Sequence, residues 1–92
     1  PAHDRPYKGL LTRIKDLIQH HQNRLEITID SCSEPVAANY IMKALFKRDL
    51  DAFQTRFAIG ETIAHINYLL CKGEITRHLS PDQRYLYQKT IS

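Results

Sequence analysis

The chain lacks any apolar run long enough to span a bilayer, and its first residues lack the basic-then-apolar layout of a signal peptide. The expected setting is a soluble one, most simply the cytoplasm, with no membrane partner. Only two cysteines occur, Cys32 and Cys71, far apart and outside any CxxC or Cys/His cluster. That pattern fits free thiols in a reducing compartment better than a disulfide framework. Internal repeats and low-complexity tracts are missing too, and so is a concentrated basic face. The formal charge is +3, with lysine and arginine spread along the sequence rather than gathered into a stripe. The longest basic run, Lys47-Arg48, is followed at once by Asp49.

What is present is an ordinary globular composition: 92 residues, 42% hydrophobic and 25% charged, enough for one domain. From Tyr7 onward the apolar positions step by three and four. Leu10, Leu11, Ile14, Leu17, Ile18, His21, Leu25 and Ile29 predict a long helix over residues 8–30. Ser31 or Ser33 as N-cap, with Pro35 in the first turn, predicts a second helix over 34–46. Asp51 is a good N-cap for a third over 52–71, and Gly73 suits a left-handed cap at its end. Beyond Gly73 the period drops to two. Residues 74–78 and 84–89 read as strands around the turn-forming Leu79-Ser80-Pro81-Asp82-Gln83. The fold class expected is mainly α with a small β-hairpin: a winged helix, three helices followed by a two-stranded wing.

Several blocks in this order resemble a known family. Arg56, Phe57, Ala58, Ile59, Gly60, Glu61, Thr62, Ala64, His65, Ile66, Tyr68 and Leu69 follow the pattern of the C-terminal winged-helix region of bacterial metallo-β-lactamase-fold hydrolases. Arg13 to Leu25 is similar to the linking helix of that family, and Ala44 to Gln54 to its connecting turn. The resemblance implies a linker over residues 1–7 from an upstream metallo-hydrolase domain, and a winged-helix domain over 8–92. It also implies that His3, in Pro1-Ala2-His3-Asp4, stands where the parent family delivers the last histidine of a two-metal centre. Ala2 and Asp4 replace the two glycines usual there. The cofactors implied are two zinc or similar divalent metals in the parent enzyme and none in this chain, where a solitary histidine cannot assemble a site. No catalytic residue is expected here; the parent would carry out metal-dependent hydrolysis of an ester, thioester or phosphoester-type bond.

Four further residues stand out. His20 and His21 are adjacent, and His65 follows Glu61 by one helical turn. They could form a second metal site or an acid–base pair. The more ordinary reading is a structural polar network in which Glu61 and His65 are a hydrogen-bonded i, i+4 pair packed on the first helix. The alternative function is a winged-helix DNA-binding transcriptional regulator. Its third helix should then present base-reading side chains, yet Gln54, Arg56, His65 and Asn67 are the only candidates and point several ways. Arg77, His78, Arg84 and Lys89 in the wing suffice for weak phosphate contact only, so nucleic acid is a disfavoured partner. Tyr85 and Tyr87 share a strand face, which suits a core or subunit contact better than a stacking platform for bases. The expected role is therefore an accessory domain whose partner is the upstream catalytic domain of its own chain. It would shape the substrate cleft and could help pair two copies into a homodimer.

Overall fold

The computed structural model describes the backbone of residues 4–91 and the side chains of residues 9–91. Three helices, α1 (Asp4–Ser31), α2 (Ala38–Leu45) and α3 (Ala52–Lys72), precede two strands, β1 (Ile75–Leu79) and β2 (Tyr85–Lys89). The strands form an antiparallel hairpin in which Ile75 faces Lys89 and Leu79 faces Tyr85. The fold is mainly α with a small β-hairpin, in the element order of a winged helix.

Helix ends follow local chemistry. Asp51 caps α3 through a reciprocal pair: its carboxylate accepts from the Gln54 amide at 2.7 Å, and the Gln54 side-chain oxygen accepts from the Asp51 amide at 3.1 Å. Gly73 ends α3 at φ 75°, the left-handed conformation that glycine adopts without Cβ strain. α1 begins at Asp4 rather than at residue 8, taking in residues 4–7 of the stretch read as a linker. Pro6 is tolerated there because the first-turn amides of a helix have no intrahelical partner.

The second helix is where the sequence reading has to be corrected. α2 starts at Ala38, and its N-cap is Ala37, with no side-chain capping bond. Ser33, Glu34 and Pro35 do not enter the helix. Pro35 disfavours helical backbone in the residue before it, and β-branched Val36 pairs with the hairpin instead. The Val36 amide donates to Tyr87 at 3.0 Å and the Tyr87 amide to Val36 at 2.8 Å, a one-residue third strand. The Lys89 amide also donates to the Cys32 carbonyl at 2.7 Å, which ties the hairpin to the end of α1.

These bonds gather the core at one end of the molecule. Cys32, Ile41, Ile66, Leu69, Ile75 and Tyr87 are buried together, with Leu25, Ile29, Val36, Ala38, Leu45 and Leu70 packed round them. Only the last two turns of α1 contribute. Its earlier apolar positions, Leu10, Leu11, Ile14, Leu17 and Ile18, are all exposed. The Cα radius of gyration is 16.6 Å, against about 12 Å for a compact chain of this length.

Candidate functional site

The inward face of α3 carries Ala58, Thr62, His65, Ile66 and Leu69, a spacing that keeps them on one helical stripe. The Thr62 hydroxyl donates to the Ala58 carbonyl at 2.7 Å, which satisfies it within the helix. His65 behaves similarly. Its Nδ1 lies 2.6 Å from the Glu61 backbone carbonyl, a contact that needs the proton on Nδ1. Nε2 is then an acceptor, and it is buried with no hydrogen-bond partner among the described residues. The expected side-chain pair is not what forms. The Glu61 carboxylate stands 4.0 Å from Nδ1 and stays partly in water, while the carbonyl four residues back is already within reach of the ring.

The other two histidines belong to α1 and face the same place. The His21 ring lies 5.2 Å from that of His65, tilted by 41°, and meets Tyr68 edge-on at 6.0 Å. His20 accepts from the Arg24 Nε at 3.0 Å, and the Arg24 guanidinium rests over the Phe46 ring at 4.9 Å. All four residues singled out in the sequence, His20, His21, Glu61 and His65, thus line one depression of about 320 Å³ between α1 and α3. Leu17, Arg24 and Phe57 complete its walls. These three were not singled out from the sequence, although Arg24 follows His20 at the i+4 distance that marks a shared helix face.

Phe57 is the ridge of this region. It is 61% exposed and also borders a second hollow, of about 250 Å³, that holds Phe46, Arg48 and Phe53. Phe53 is 81% exposed. With Leu17 and the uncovered stripe of α1, these aromatics make an apolar surface of the kind that marks an interaction site. Within this chain, Phe53, Phe57, Ile59 and Ile63 on α3 are uncovered.

The wing is a different surface. Tyr87 is buried, whereas Tyr85 is exposed, with the Arg77 guanidinium stacked on it at 4.4 Å. Tyr87 is thus a core residue, while Tyr85, near the hairpin tip, lies outside the core of this chain. Arg84 is paired with Asp82 at 2.9 Å. The Ser80 hydroxyl, hydrogen-bonded to the same carboxylate, is the main cause holding Asp82 below the usual carboxylate pKa, with Arg84 adding to it. Arg77 and Arg84 are thus engaged within the wing itself.

Among the described residues, no group of three or more His, Cys, Asp or Glu side chains stands close enough to hold a metal ion. His3 lies outside the described residues. No described helix is long and apolar enough to cross a membrane.

Residues 25–90 match the family described as metallo-beta-lactamase-like, C-terminal domain. The chain belongs to that family. The matched stretch holds the whole core, the hairpin and the α3 wall of the depression, while the exposed half of α1 precedes it. Among solved structures, a beta-lactamase domain protein from Burkholderia ambifaria is similar at 37% sequence identity and a TM-score of 0.77, over 86% of this chain. The match takes up 24% of that protein, so this family domain spans about a quarter of its length. No curated protein matches the chain.

Proposed function

We propose that this domain is the C-terminal accessory part of a longer, metal-dependent hydrolase of the metallo-β-lactamase superfamily. It seats on the upstream catalytic domain and walls one side of its substrate cleft. The observation that carries this reading is the uncovered stripe of α1. Leu10, Leu11, Ile14, Leu17 and Ile18 are each between 43% and 65% exposed. A free-standing domain loses apolar burial by holding such a helix in water, about 25 cal/mol for every Å² left uncovered. A domain with a permanent neighbour regains it. Family membership and the one-quarter span of the Burkholderia protein support the same reading.

The described residues do not fit a metal centre of their own, so the hydrolytic chemistry is assigned upstream. Two zinc or similar divalent ions bound there would supply Lewis acidity to an ester, thioester or phosphoester-type bond. His3 is proposed as the last ligand of that centre. The test is a pair of proteins, the longer natural chain and these 92 residues alone. The longer chain should hydrolyse members of an ester, thioester and phosphodiester panel, and its His3→Ala variant should lose both bound metal and turnover. These 92 residues alone should turn over none of the panel. Hydrolysis by the short chain would overturn the reading. So would tight, steeply salt-dependent binding of duplex DNA by it, which would favour the transcriptional regulator.

A further inference from the structure

A buried acceptor without a donor is costly, because the desolvation is not offset by a hydrogen bond. His65 is in that position. The ring is 4% exposed, Nδ1 is committed to its own helix at 2.6 Å, and Nε2 has no partner among the described residues. Native structures leave few such atoms unexplained. Here the surroundings suggest what is missing. The Nδ1 bond holds one edge of the ring against α3, and His65 lines the depression between the two helices with its Nε2 covered by neighbouring side chains. The His21 ring lies alongside at 5.2 Å, on an exposed stretch of α1, where it can swing aside to admit a donor to Nε2.

Resting on the functional reading above, we infer that this depression is the seat of one side chain from the upstream domain, a hydrogen-bond donor on an apolar body whose N–H or O–H is accepted by His65 Nε2. The space, about 320 Å³, holds one aromatic side chain between Leu17 and Phe57. The donor is neutral. A lysine or arginine would enter beside the Arg24 guanidinium, which lines the same wall, and would lose its hydration against two apolar side chains. The occupant is the upstream domain rather than a second copy. The exposed stripe of α1 runs without a break from Leu17 back to Leu10, toward the helix end at which the longer chain joins. Three-quarters of the similar Burkholderia protein lies outside the matched region, and a C-terminal domain has its neighbour on the N-terminal side. Tethering keeps it at high effective concentration against this face.

The experiment is hydrogen–deuterium exchange on the longer natural chain, with ¹⁵N NMR of its histidines, set against the same measurements on these 92 residues alone. Amides of α1 around Leu17 and of α3 around Phe57 should be protected in the longer chain relative to the short one. The His65 Nε2 resonance should move upfield there, as an accepting nitrogen does. His65→Asn keeps a donor near the Glu61 carbonyl and removes the far acceptor. In the longer chain it should speed exchange across the face on the order of ten-fold, the worth of one hydrogen bond to a desolvated acceptor, and leave the short chain unchanged. Absence of protection in the longer chain would sink the functional reading itself. Protection together with an unmoved Nε2 resonance, or with no effect of His65→Asn, would overturn this inference and leave that reading standing. Protection that appears in the short chain alone and grows with its concentration would assign the seat to a second copy and also overturn it.

Discussion

Cys32 and Cys71 are the same chemical group in opposite surroundings. Cys71 is exposed near the end of α3, while Cys32 is fully buried, with its thiol against the Thr28 and Ile29 carbonyls at 3.2 and 3.4 Å. Burial pushes the Cys32 thiol pKa above its ordinary 9.0, and nearby Asp30 acts in the same direction. A folded-state pKa that is raised means that the unfolded chain gives up this proton first as pH rises. The contribution is therefore fully present below the ordinary value of 9.0 and is lost above it. Two outcomes are expected. A disulfide reagent should titrate one thiol in the native protein and two in denaturant. Thermal stability should fall as pH passes 9.0, and less steeply in Cys32→Ala than in the native sequence. A second thiol reacting at native rates would show that the α1 end opens freely.

At the scale of elements, α1 is two helices in one. Its last turns, with Leu25, Thr28 and Ile29 and the following Cys32, belong to the core; residues 9–23 are all exposed. Truncations should report this division. Ile66→Ala, in the fully buried cluster, should cost about 2–5 kcal/mol, while Leu11→Ala should stay within about 0.5 kcal/mol in this chain alone, both read by denaturant melts. Equal losses would mean that the arm is packed in solution. Element types and most ends were legible in the sequence, because Asp51 and Gly73 are local signals whose chemistry does not depend on neighbours. The start of α2 was not. Ser33 and Pro35 imitate a helix start, and only the pairing of Val36 with Tyr87, fifty-one positions further along the chain, makes that stretch extended. The site was legible in the same uneven way. Spacing placed Glu61 and His65 on one face, and two helices crossing brought His20 and His21 to them. His65 Nδ1 lies 2.6 Å from the carbonyl and 4.0 Å from the carboxylate, a preference that no spacing rule supplies.

At the scale of the molecule, the shape follows from where the burial stops. The principal extents are 63 × 37 × 17 Å, a small globular head with a helical arm. Small-angle scattering of the dilute chain should give a radius of gyration near 16.6 Å. A value near the roughly 12 Å of a compact chain would show that α1 breaks and folds back. Apolar periodicity could not distinguish these outcomes. Leu10 through Ile18 read as a face to be buried, and the pattern says nothing about which chain buries it. Mild, dispersed charge and few base-reading side chains on α3 disfavour nucleic acid, and the exposed aromatics of α3 carry that preference from composition to surface.

The bare arm of α1 has a consequence for the order in which the protein is made. Ribosomes release a chain from its N-terminus, so a domain in the C-terminal place of its family emerges last. α1 leaves the exit tunnel ahead of α2, α3 and the hairpin, before the residues that will bury its far end are free to fold. Most of the stability of an amphipathic helix comes from tertiary packing of its apolar face. If its upstream neighbour has already folded, the stripe of leucines and isoleucines meets a finished template at that moment. Synthesis order then turns an arm left bare in isolation into the first part of this domain to settle.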